Sequence, residues 1–239
     1  MVSNTPDYPE VLAGGTMIKH AREGWDVYQL VVGDGEIATT KYPLEEAKKM
    51  RRQEQKNAAK IEGCKEVFFL GLPDGNIQND FDTKVQIRDY IRTLKPNVII
   101  TPWLNSRHPD VRNTALATAD AAFWAMWNRD SVSGTVAKDP PHATPVIYMA
   151  GMPGFDWDFR PEICVDITDV MDVKNKALEQ HRSTWELPPY NGPEKWVDMI
   201  GSFSKTWGAW CGAEYAEAFE PYWMLHYGKR ALQLLPVPC

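Results

Sequence analysis

The chain has 239 residues, 44% hydrophobic and 24% charged, and its 26 Lys+Arg against 32 Asp+Glu give a net charge of −6. This suffices for a single globular domain, residues 1–239, with a sizeable core, while an acidic balance without a basic tract argues against a nucleic-acid footprint. No apolar run approaches the roughly 18 residues of a membrane span and the N-terminus lacks a secretion-signal pattern, so the expectation is a cytoplasmic protein with no nucleic-acid or membrane partner.

Apolar strand-like runs alternate with helical patterns over the first 150 residues, which predicts βαβ units and a mostly parallel sheet. Val11 to Glu23 reads as a helix despite Gly14-Gly15, and Asp26 to Val32 as a strand closed by Gly33-Asp34-Gly35. Pro43 opens a charged helix through Ile61, stopped by Gly63. A strand over 66–70 leads to the turn Gly71-Leu72-Pro73-Asp74-Gly75, and 81–94 repeats apolar residues near helical spacing, with Pro96 just beyond. Val98 to Pro102 is a buried strand, followed by a loop with His108 and a helix from about Asn113 to Trp127. Asn128 to Thr144, rich in Ser, Gly, Asp and Pro, reads as a loop, either a lid or a plain connection. Short strands are expected at 146–150 and 162–166, a helix over 169–181 and another around 196–210, with the tail unassigned.

Met1 to Asn4 is too short and polar for a buried strand, which typically takes about five or six residues. The sheet is therefore expected to lack its first strand or borrow one from another chain, and homo-oligomerisation would cover the exposed neighbours. Cys64, Cys164, Cys211 and Cys239 show no metal-site spacing and read as reduced, scattered thiols. Ten tryptophans either line an aromatic pocket or fill core and subunit interface.

The run Arg107-His108-Pro109-Asp110-Val111 follows a buried strand, where open α/β sheets place their chemistry. Asp34 and Asp74 sit in turns that Asp and Gly form for backbone reasons alone. Arg51 lies in a charge run that ordinarily marks a solvated helix face. Gly33-Asp34-Gly35 lacks the third glycine of a dinucleotide loop, and His20, His142 and His226 have no motif around them.

Taken in order, several segments resemble the PIG-L/LmbE family of zinc-dependent de-N-acetylases. They are Gly14-Gly15-Thr16, Gly33-Asp34-Gly35-Glu36, Arg51-Arg52-Gln53-Glu54, Phe69 to Gly75, Thr101-Pro102-Trp103, His108-Pro109-Asp110, Val165 to Thr168, Lys176 to Ser183 and Glu214 to Phe219. The resemblance implies a Rossmann-like three-layer α/β/α fold and hydrolysis of an amide bond on an N-acylated, sugar-like small molecule. In that family a zinc ion activates water and polarises the carbonyl. A His-Pro-Asp-Asp loop supplies two ligands and a general base; the last His of a His-Pro-Asp-His loop supplies the third ligand.

The matching positions are Thr5-Pro6-Asp7-Tyr8, with Glu10 beyond, and His108-Pro109-Asp110-Val111. All three zinc-ligand positions thus hold Thr5, Tyr8 and Val111, and since catalytic zinc needs three protein donors, the family's zinc cofactor is not expected in its usual form. The resemblance assigns Asp7 as general base, His108 as acid with Asp110 as its orienter, and Asp34, Arg51, Asp74 and His181 to the substrate pocket. Three functions remain open: a deacetylase-like hydrolase with a rearranged metal site drawn from Asp7, Glu10, His108 or Asp110; a metal-free hydratase or lyase using His108 and Asp7; and an inactive homologue that binds a ligand or partner.

Overall fold

A computed structural model describes residues 1–129, 139–144 and 146–222. The order is β1 (Val2–Ser3), α1 (Tyr8–Arg22), β2 (Tyr28–Gly33), α2 (Leu44–Glu62), β3 (Glu66–Leu72), α3 (Phe81–Leu94), β4 (Val98–Pro102) and α4 (Pro109–Ala125). There follow β5 (Val146–Ala150), β6 (Ile163–Asp166), α5 (Met171–Leu178), α6 (Arg182–Trp185), α7 (Pro193–Cys211) and β7 (Ala216–Pro221). Strands β1, β2 and β3 are parallel neighbours in that order; β4 pairs parallel with β5, and β7 is inserted antiparallel between β5 and β6.

Strand β4 and its neighbours read as unbroken apolar runs because both faces are covered. Ile99, Ile147 and Met149 join one core cluster with Ile87, Ile91 and Ala117, Ala119, Ala121, Ala122 and Ala125 of α4. Their neighbours in sequence, Ile100, Tyr148 and Ala150, join a second with residues of α1, α5 and α7. Alternation on one pleated strand thus feeds two helical layers, the α/β/α arrangement.

The expectation that residues 1–4 form no strand is corrected. Val2 pairs with Leu30 and Ser3 with Val31, both buried, and β1 lies beside β4. Parallel main-chain pairing supports two residues here because flanking strands bury their polar groups as well as their side chains. Beside this short strand is a cavity of about 640 Å³ whose lining includes Met1, Tyr28, Leu30, Tyr90, Leu94 and Ile99.

The glycine pair in α1 has a packing cause. The helix is kinked at Ala13 (φ −146°), and a Cβ on Gly15 would meet Ile167 Cγ2 at 2.6 Å. After the kink the Gly15 and Thr16 N–H groups donate to the Glu217 carboxylate at 2.8 Å each, and buried Lys174 neutralises that carboxylate at 2.7 Å. The cysteine expectation is also corrected: Cys164 on β6 and Cys211 on α7 form a disulfide, their Cα atoms 6.3 Å apart, a pairing between distant elements that sequence spacing hides. Most of Asn128 to Thr144, His226 and the tail from 223 lie outside the described residues. Among those described, no helix is long and apolar enough to cross a membrane.

Candidate functional site

The parallel strands end on one side of the sheet, and the loops they feed enclose a cleft of about 280 Å³. Asp7, Arg51, Asp74 and His108 line it, with Thr5 and Thr184 beside them. Opposite stands an apolar wall: Trp196, Met199, Ile200 and Phe203 from α7, with Met152 and Phe155 from the segment after β5.

Asp7 lies in the short loop between β1 and α1 and takes φ +79°, a conformation that a non-glycine residue holds only when its surroundings fix it. Here they do. Its N–H donates to Gln55 Oε1 at 2.8 Å. Its Oδ2 accepts from Thr184 Oγ1 at 2.8 Å and from Arg51 Nη2 at 3.3 Å. Arg51 is buried, not on a solvated face. Besides Asp7 it binds the Pro6 carbonyl at 3.0 Å and Thr184 Oγ1 at 3.0 Å, so one guanidinium fastens α2 to the Asp7 loop and to α6. Burial pushes the Asp74 carboxyl above its ordinary value, the Arg51 charge opposing.

His108 is the N-cap of α4, its Nδ1 accepting from the Asp110 backbone N–H at 3.2 Å. A backbone N–H can only donate, so Nδ1 is unprotonated and the neutral ring carries its proton on Nε2. The role expected for Asp110 is corrected accordingly. Its carboxylate turns away, accepting from the Gly75 and Ile77 N–H groups at 2.6 and 3.2 Å, and clamps the Asp74 turn to α4. The histidine is oriented by the main chain of Asp110, not by its side chain.

Two further candidates are turned away from the cleft. Asp34 is buried and held bidentate by Arg52 at 2.7 and 2.8 Å. His181 is buried behind α1, its Nε2 2.9 Å from Glu10 Oε2. Glu10 also accepts from Gln55 and Gln29, so its carboxylate is committed to that network. Residues without a sequence cue include Gln55 and Thr184; the α7 wall had one, apolar residues at i, i+3, i+4 and i+7 from Trp196.

The family's zinc does not fit these residues. Val111 has no donor atom and is buried, and Tyr8 is a phenol whose pKa burial raises further, against the anion a metal would favour. Thr5 Oγ1 accepts from Asn4 Nδ2 at 3.2 Å. The rearranged set fares no better, because Glu10 and Asp110 face other partners, and no group of three or more His, Cys, Asp or Glu converges among the described residues.

Fold and cleft together define an α/β protein with a cleft at the strand ends. The family profile of PIG-L, the GlcNAc-PI de-N-acetylase, matches residues 5–122. Diacetylchitobiose deacetylase of Thermococcus kodakarensis is 29% identical over 228 residues, 92% of this chain and 82% of that one. The solved N,N'-diacetylchitobiose deacetylase of Pyrococcus horikoshii superimposes with TM-score 0.81 at 24% identity, over 92% of this chain and 82% of that one. A conserved protein of Thermus thermophilus gives 0.78 at 24%, over 95% of each chain. Residues 5–122 thus match the PIG-L family model, and the chain is similar to diacetylchitobiose deacetylases over most of its length.

Proposed function

We propose that this chain is a deacetylase-type hydrolase that cleaves the amide of an N-acylated, sugar-sized molecule without the family's zinc centre. The observation that carries this is the shared cleft of Asp7 and His108, an acceptor-only carboxylate and an Nε2–H donor. The carboxylate takes a proton from water as the oxygen adds to the amide carbon, the neutral His108 donates a hydrogen bond from Nε2–H to the oxyanion that forms, and the proton held on Asp7 passes to the departing nitrogen as the C–N bond breaks. Both contacts to Asp7 fall on Oδ2, which leaves the lone pairs of Oδ1 for the water. The cleft lies at the small end of ligand sites, which run from about 300 Å³ upward, and suits one ring with a short substituent. The similarity to a diacetylchitobiose deacetylase supports an amino sugar.

The Arg51 contact favours a second reading, a ligand-binding homologue without turnover, because the Asp7 carboxylate is already engaged by Arg51 and Thr184 as a structural partner. Acetate release from N-acetylglucosamine decides between them. Hydrolysis predicts release that falls by about 100-fold or more in both Asp7→Asn and His108→Ala. Binding without release supports the second reading, and release indifferent to both substitutions refutes the proposed roles.

A further inference from the structure

The cleft is two-sided, and a polar substrate uses only one side. Trp196, Met199, Ile200 and Phe203 recur at i, i+3, i+4 and i+7 on α7, a single helical face, and Met152 and Phe155 close on the same space. Trp196, Ile200 and Met152 are buried, whereas Met199, Phe203 and Phe155 keep part of their surface open. The polar groups Asp7, Arg51, Asp74 and His108 come from the strand-end loops and α2. An acetyl group offers one methyl to this wall, too little to dry three partly open large side chains, and wet apolar surface inside a cleft is affinity left unused.

We propose that the ligand carries an acyl group larger than acetyl, a short aliphatic chain packed on Met199, Phe203 and Phe155 while the amide and ring hydroxyls meet the polar side. This rests on the amide-hydrolase reading for the polar end, but acyl preference is separable from turnover because it shows in binding. Arg107 stacks on the Phe155 ring, its guanidinium 3.7 Å from the centroid, and the cleft volume of about 280 Å³ bounds the chain length.

The test is titration calorimetry of N-acetyl-, N-propionyl-, N-butyryl- and N-octanoylglucosamine against the wild-type chain, with acid release measured in parallel. The expected result is a Kd that falls roughly threefold to fourfold per added methylene up to butyryl, with no further gain at octanoyl. Phe203→Ser should flatten this series and Phe203→Leu, which keeps the helix face apolar, should retain most of it. Acetyl binding tightest, a Kd indifferent to chain length, or no binding by any member overturns the proposal, even if acetate is released. A clear series without acid release upholds the acyl wall and removes the hydrolase reading instead.

Discussion

Arg51 is the residue whose loss the site should feel most. Arg51→Met keeps the stem of the side chain in its buried slot but removes the hydrogen bonds to Pro6 O, Asp7 Oδ2 and Thr184 Oγ1. Removing one partner of a buried ion pair costs about 3–5 kcal/mol because the other charge is left without compensation. The Arg51 side chain is 3% exposed and that of Asp7 10%, and Asp7 keeps Thr184 and an opening on the cleft, so the expected loss is at the lower end, about 3 kcal/mol. For a chain of this size that lowers Tm by roughly 6–12 °C. The double variant Arg51→Met/Asp7→Asn should recover about 1–2 kcal/mol, since Asn tolerates the positive φ and leaves no unpaired charge. Urea unfolding followed by circular dichroism measures the wild type, Arg51→Met, Asp7→Asn and the double variant. A loss in Arg51→Met below about 1 kcal/mol, or strict additivity in the double variant, would refute the account of Arg51 as the buried tie between α2, α6 and the Asp7 loop.

Burial raises the Glu62 pKa well above its ordinary 4.5, the Glu10 and Glu217 charges adding to it and Lys174 opposing. A raised folded-state value gives stability that is full below the unfolded value and lost as pH rises through the folded one. Glu62→Gln should therefore be more stable than wild type at about pH 8, with the gap closing toward about pH 4.5; a gap of opposite sign in denaturation midpoints would contradict this. The Cys164–Cys211 bridge closes a sequence separation of 47 residues, so Cys211→Ser should cost about 2–4 kcal/mol by the same assay, and no change would show that the bridge does not form in solution. Restoring the lost donors, Thr5→His, Tyr8→Asp and Val111→His together, should give about one zinc per chain by metal analysis, because catalytic zinc needs three such ligands; no uptake would show that the two loops have moved apart.

Local pattern made most of the sheet and helices legible: β4, β5 and α3 begin and end where apolar runs and flanking prolines place them. What pattern could not supply was contact at a distance. Strand β7 is an antiparallel insertion whose sequence, Ala216 to Pro221, has two glutamates, one of them buried because Lys174 from α5 meets it. β1 is a strand only because β2 pairs with it. Within the site, family position identified residues but not the direction of their side chains. Asp34 and His181 turn to Arg52 and Glu10, and Asp110 to a neighbouring turn, because each found a closer partner for a buried charge or ring nitrogen than the cleft offered. Gln55 and Thr184 had no signal, since a neutral side chain that holds one backbone N–H or one carboxylate oxygen leaves no periodic trace.

The central claim is amide hydrolysis in the Asp7–His108 cleft without the family's zinc. It is tested most directly by acetate release from N-acetylglucosamine by chelator-treated protein, with the zinc content of the same sample measured. The account predicts turnover that persists after chelation and is lost in His108→Ala. Release that appears only on adding zinc, or no release from metal-free and zinc-supplied protein alike, would contradict it.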